Sequence, residues 1–260
     1  MEIIAIANQK GGVGKTTTAV NLAACLAAKK NNVLLIDLDP QGNATTGTGI
    51  EKRELQLTTA DILLDGVAIA DAIVTSPAGF DVVGANRDMS GIDISLMGLV
   101  DSHSLLKQAM QSLTGYDYVI IDCAPSLNLL TVNAMVATQG VIIPMQCEYY
   151  ALEGLADLSH TIDRLKELNP HLHIRGVVRT LFDARNTLAN DVSAELEAYF
   201  GDLMYQTIIP RNVRLAEAPA HGMPVLTFER YSKGSRAYQK LASEVMKQSQ
   251  QLTLDLPKVE

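Results

Sequence analysis

A chain of 260 residues, 47% apolar and 19% charged, can bury a full core unaided, which excludes a disordered polyelectrolyte and a disulfide-stapled miniprotein. Its three cysteines, Cys25, Cys123 and Cys147, lack CxxC spacing, which excludes a zinc ribbon and suits a reducing cytosol. A net charge of −8 argues against nucleic-acid binding by the surface as a whole and leaves that role to a local basic patch.

In chain order, residues 3–7 form a short apolar run that ends in a Gly-rich turn, the pattern of a buried strand. The spacing of Ala19, Leu22, Ala23, Leu26 and Ala27 predicts a helix over about 15–30, and a second buried strand follows at 33–36. Residues 40–80 are polar and Gly-containing, with one short helix near 59–64, and 80–83 reads as a strand. A helical stretch is expected over about 90–113, interrupted by Gly91 and Gly98. The pattern then becomes regular, with strands at 118–121, 141–144, 174–178 and 205–209. Helices alternate with them at 127–137, through Leu152, Leu155, Leu158, Ile162, Leu165 and Leu168, at 188–199, and finally at 235–248. Such alternation implies parallel pairing with right-handed crossovers, hence one doubly wound α/β domain over residues 1–260, its mostly parallel sheet flanked by helices. The chain reaches its Gly-rich loop within ten residues, which leaves no signal peptide, and the longest apolar runs, such as 141–144, are too short to cross a bilayer. A soluble, cytoplasmic protein is expected.

The loop reads Lys10-Gly11-Gly12-Val13-Gly14-Lys15-Thr16-Thr17. The common phosphate-loop pattern places a glycine where this chain has Gln9, so the match rests on context, a glycine-rich turn between a buried strand and a helix. Glycines let backbone N–H groups approach phosphate oxygens, and the helix start adds its positive dipole end. There Lys15 can neutralise the β- and γ-phosphates and the Thr16 hydroxyl can ligate magnesium. The bland alternative is a strand–helix turn with no ligand. Lys10 adds a second cation at the front of the loop, more charge than a single triphosphate calls for; its alternative is a solvated lysine.

Acids stand at two strand ends, where ligands of open parallel sheets bind: Asp37 and Asp39 after 33–36, and Asp122 after 118–121. Asp122 fits a Walker B acid that holds magnesium or a magnesium-bound water, and Asp37 a structural or metal-shell role. A helix cap or turn is the alternative for each. Cys123 reads as a small packing residue. Farther on, residues 205–240 carry Arg211, Arg214, Arg230, Lys233, Arg236 and Lys240 against only Glu217 and Glu229, and Arg185 can extend the patch. Such a surface suits a sequence-independent grip on phosphates; ordinary solvated cations are the alternative.

The loop resembles the deviant Walker A branch of P-loop ATPases. DLDPQGNAT, VIIDCAPSL, PMQCEYYALEGL, LFDARNTLA and IIPRNVRLAEAPAHG extend the likeness, over nearly the whole chain, to partition ATPases of the ParA/Soj type. Cys-Ala-Pro departs mildly from the two prolines common in that family's Walker B segment. The resemblance implies ATP and Mg2+ as ligands, with residues 10–17 around the phosphates and slow hydrolysis that depends on Lys10, Lys15 and Asp39. Lys10 would reach across an ATP-bound homodimer to the partner's nucleotide, and Asp39 would position the attacking water. Pro210 and Asn212 would pack against adenine, and Glu148 would face the ribose at the dimer interface. The dimer would bind double-stranded DNA non-specifically on the nucleoid, through Arg185, Arg211, Arg214, Lys233 and Arg236, until a ParB-like centromere-binding protein stimulates hydrolysis. Nothing before Lys10 leaves room for the helix-turn-helix extension of longer ParA proteins. A MinD-like membrane ATPase is one alternative; it needs a basic amphipathic C-terminal helix, which the ending QQLTLDLPKVE, with Pro257 and two acids, does not supply. Another, a P-loop synthetase acting on a small acid, needs a substrate pocket that the sequence does not advertise.

Overall fold

Runs of Val, Ile and Leu without polar alternation must be covered on both faces when they form strands. In β1 (Glu2–Ile6), Ile4 and Ile6 enter one apolar core while Ile3 and Ala5 enter the other, because successive side chains point to opposite faces of the sheet. The computed structural model describes residues 1–149 and 151–255. From β1 the chain passes through α1 (Lys15–Ala28), β2 (Val33–Asp37), α2 (Asn43–Gly47), α3 (Thr59–Asp65), β3 (Ile73–Thr75), β4 (Asp81–Val83), α4 (Ile92–Leu96) and α5 (Leu105–Ala109). It continues through β5 (Tyr118–Asp122), α6 (Leu129–Ala137), β6 (Gly140–Gln146), α7 (Ala151–Leu165), β7 (His173–Thr180), α8 (Thr187–Phe200), α9 (Val213–Glu217), α10 (Val225–Phe228) and α11 (Lys233–Asp255).

The strands form one sheet in the order β3-β4-β2-β5-β1-β6-β7, parallel except for the β3–β4 edge pair. Helices α3 to α8 cover one face, and α1, α2, α9, α10 and α11 cover the other. The expected doubly wound fold is therefore present. Buried polar bonds tie α1 to its own layer: the Thr18 hydroxyl lies 3.1 Å from the Tyr238 hydroxyl, and the Val225 N–H donates to Asn21 Oδ1 at 2.7 Å.

Three sequence expectations need correction. The helix over 90–113 is broken into α4 and α5, because Gly91 and Asp101 adopt left-handed backbone angles, φ 81° and 50°, which an α-helix cannot continue through. Residues 205–209 run beside β7 without forming a strand: Tyr205 and Ile209 donate to Val177 and Arg179, but the N–H groups of Gln206 and Thr207 go to the Glu244 carboxylate on α11, at 2.9 Å each. The polar region 40–80 holds α2 and the edge strand β3 besides the expected short helix. The final helix runs on to Asp255, and Pro257 lies outside the described residues.

Candidate nucleotide site

Parallel register fixes the ground plan. Ile6 at the end of β1 pairs with Asp122 at the end of β5, and Asp122 pairs with Asp37 at the end of β2. The glycine loop therefore leaves the sheet beside two buried carboxylates. Two side chains hold it in place. The Asn8 amide donates to the Pro144 carbonyl at 2.8 Å while its oxygen accepts the Lys10 N–H at 2.9 Å, and the Thr180 hydroxyl donates to the Val13 carbonyl at 2.7 Å. Gly12 and Gly14 take φ of 75° and 86°, angles that a side chain would strain. Around Gly12 the space is open, since an added Cβ would meet nothing within 4 Å. Gly14 caps α1 with no side-chain bond, and the first turn of α1 carries no acid, so its N–H groups and positive dipole end are uncompensated.

Lys15 is buried, and its ammonium donates to the Lys10 carbonyl at 3.0 Å. Burial lowers its pKa, against the raising influence of Asp122, Cys123 and Asp39. Asp122 is fully buried, and neither of its carboxylate oxygens has a hydrogen-bond partner in hydrogen-bonding geometry. Burial, and then the charge of Asp37, raise its pKa well above the carboxylate range, while Thr16 and Lys15 pull the other way. A buried carboxylate without a well-formed hydrogen bond is costly, and a hydrated divalent cation held with the Thr16 hydroxyl would satisfy it. The residues therefore fit magnesium, with Asp122 reached through water.

Asp37 has no such vacancy. It accepts the Thr45 N–H at 2.8 Å, the Thr45 hydroxyl at 2.7 Å and the Asp39 N–H at 3.1 Å. Its pKa is pushed up to about 6 by burial, against those hydrogen bonds. Of its two expected roles the structural one is filled, since it fastens the loop after β2 to α2. Asp39 stands on that loop, nearly buried, and accepts the Gln41 N–H on Oδ1 at 2.9 Å. Cys123 is a buried packing residue, as expected, its thiol pKa raised by burial.

The AAA-domain family model matches residues 1–174. A Caulobacter vibrioides protein named chromosome partitioning protein ParA is 49% identical over 251 residues, covering 95% of this chain and 94% of its own. The sporulation initiation inhibitor protein Soj of Bacillus subtilis is 50% identical over 247 residues, covering 94% and 98%. The chain belongs to the ParA/Soj family of chromosome-partition ATPases. A solved Mycobacterium smegmatis structure, described as cobyrinic acid a,c-diamide synthase with bound ADP and magnesium, shares the fold at TM-score 0.84 and 34% identity, over 96% of each chain.

The remaining residues expected of a ParA/Soj protein stand as follows. The Lys10 ammonium pairs with Glu148 at 2.5 Å; the two side chains are 44% and 46% exposed. Glu148 thus meets the lysine of its own chain. Pro210 bridges to Phe182, two residues beyond Thr180, which places it on the rim near the loop. The Asn212 oxygen accepts the Arg214 N–H at 3.1 Å and so caps α9. The basic residues line two grooves, the first shared with Asn212 and the second with Pro210. Arg211, Arg214 and Lys233 line one groove, and Lys233, Arg236 and Lys240 line the next. Two of these cations are already paired. Arg185 makes a two-pronged contact with Asp183, at 2.9 and 2.7 Å, which with Arg211 nearby pulls that carboxyl down to about 2; Arg214 pairs with Glu217 at 2.8 Å. Lys233 and Arg236 are exposed and form no ion pair among the described residues.

Sequence reasoning missed Asn8, Thr45 and Thr180, which shape the loops through hydrogen bonds to other segments. Asn8 sits directly before the glycine loop and had a local signal. Thr45 and Thr180 owe their roles to partners 8 and 167 residues away.

Proposed function

We propose that this chain is an ATP-driven DNA-partition switch, monomeric when free and closed by ATP into a dimer that holds two nucleotides. One observation carries the reading: the two lysines of the loop are divided between inside and outside. Lys15 is buried beside Asp122, whereas the Lys10 side chain is 44% exposed and pairs with Glu148. A cation so placed serves its own phosphates poorly and a second chain's well.

ATP entry draws Lys15 from the Lys10 carbonyl onto the β- and γ-phosphates, while the N–H groups of residues 11–17 take their oxygens. Thr16 and, through water, Asp122 would hold Mg2+, which when bound neutralises charge on the phosphates. Pro210 and Asn212 form the adenine side of the site. With Oδ1 of Asp39 taken by Gln41, Oδ2 is the oxygen that orients the attacking water. On closure Lys10 leaves Glu148 for the partner's nucleotide and Glu148 turns to the ribose. An exposed ion pair is worth about 0–1 kcal/mol, whereas a cation or donor aimed at transition-state charge is worth about 2.7–4 kcal/mol. The internal pair therefore yields. Lys10→Ala is expected to leave ATP affinity of the single chain within a few-fold and to cut phosphate release by about 100-fold or more. Unchanged release would remove Lys10 from the mechanism.

Doubling the basic grooves across the dimer would give a DNA surface, which supports nucleoid association. The unpaired Lys233 and Arg236 are its most available cations, while Arg185, Arg211 and Arg214 act partly through nearby acids. Alanine at Lys233, Arg236 or Arg214 is expected to weaken binding to plasmid DNA alike for all sequences, each lowering the salt slope by about one, with nucleotide affinity spared. A salt-titrated gel shift that does not change would count against this surface. A ParB-like protein that stimulates hydrolysis completes the cycle.

A further inference from the structure

Charge is unevenly spread along this chain. Residues 51–101 hold nine acids and three bases, six of the chain's eight excess negative charges. The same segment exposes apolar side chains that most surfaces hide: Ile94 is 79% exposed, Met97 74% and Val100 87%, with Leu99 beside them. Their base is fixed. Ile92 and Leu96 are buried under α4, and the Asp93 carboxylate accepts the Asn128 amide at 2.8 Å and the Leu129 N–H at 3.0 Å, which fastens α4 to the start of α6. Leu99 and Val100 enter one wall of a groove of about 560 Å³, opposite Leu64 and Val67 at the end of α3, with Leu105 of α5 alongside. Asp65 stands on its rim and Asp101 follows Val100; Lys107 is the base on α5.

We propose that this groove is a docking surface for a cationic amphipathic helix of a partner protein, whose apolar stripe covers Val100, Leu99 and Met97 while its lysines or arginines meet Asp65 and Asp101. Charge decides the occupant. A second copy of this chain in a two-fold contact would set Asp65 and Asp101 near their own counterparts with Lys107 as the offsetting base, which like-charge repulsion opposes. The groove lies in the helix layer of α3 to α6, whereas the basic grooves belong to α9 and α11 across the sheet. A cationic helix is repelled there and attracted here, and it need not compete with DNA.

The test uses the whole chain without nucleotide or DNA, so its outcome is independent of the ATPase reading. The probe is a short helix-forming peptide with leucine at i, i+3, i+4 and i+7 and lysine elsewhere; its control replaces every lysine by glutamate. The lysine peptide is expected to bind, to slow hydrogen exchange within residues 62–69 and 94–109, and to bind the double variant Met97→Glu, Val100→Glu about tenfold more weakly or worse. The control is expected not to bind. Because both positions are exposed, the double variant is expected to melt like the unaltered chain. Equal binding of both peptides, protection elsewhere, unchanged affinity of the double variant, or a self-association that the double variant abolishes would each overturn the proposal.

Discussion

Replacing Lys15 by alanine is expected to abolish measurable ATP binding. Lys15 is the buried cation beside Asp122 and Asp39, and its ammonium is held at the Lys10 carbonyl of the glycine loop. Without it, a triphosphate would enter beside three buried carboxylates, Asp37, Asp39 and Asp122, with no opposing charge from the loop. Removing one partner of a buried charge pair costs about 3–5 kcal/mol, or roughly two to three and a half orders of magnitude in affinity. Isothermal calorimetry reads this directly, with far-UV circular dichroism to establish that the variant is folded. Wild-type affinity would show that the glycine loop is not the phosphate site.

The second large effect is expected from Asp39→Ala: ATP affinity kept, phosphate release lowered by about 100-fold or more. The structure predicts a local change. The loop that carries Asp39 is fastened by its backbone N–H to Asp37 and by Asp37 to Thr45, so truncation loses the Gln41 hydrogen bond and the charge near Lys15 but keeps the loop's anchor. Asp37→Ala would instead release the loop as a whole. The two acids stand two residues apart and the hydrogen bonds separate their roles. Phosphate release at the wild-type rate would take Asp39 out of the hydrolytic step.

The strand–loop–helix at residues 2–28 was legible because its signals are local: an apolar run, glycines that must adopt positive φ, and a helix of small apolar residues. The inner parallel strands β2, β5 and β6 were legible for the same reason, since they are buried on both faces and carry no polar alternation. What stayed hidden depends on distant partners. The failure of 205–209 to form a strand is caused by Glu244, 37 residues beyond Thr207, and the pairing of Lys10 with Glu148 spans 138 residues. Nothing near residue 205 or residue 10 announces either contact. Arg214 with Glu217, three apart on α9, lies at a spacing that brings such side chains together and could have been read; Asp183 with Arg185, two apart in a loop, carries no such signal. They temper the basic patch, which a count of charges alone overstates.

Light scattering of Asp39→Ala in saturating Mg-ATP is the sharpest test of a nucleotide-bridged pair of chains. The predicted mass is that of two 28.0 kDa chains, falling to one when ATP is withheld. A mass of one chain with ATP bound would contradict the exchange of Lys10 between subunits and the DNA switch built on it.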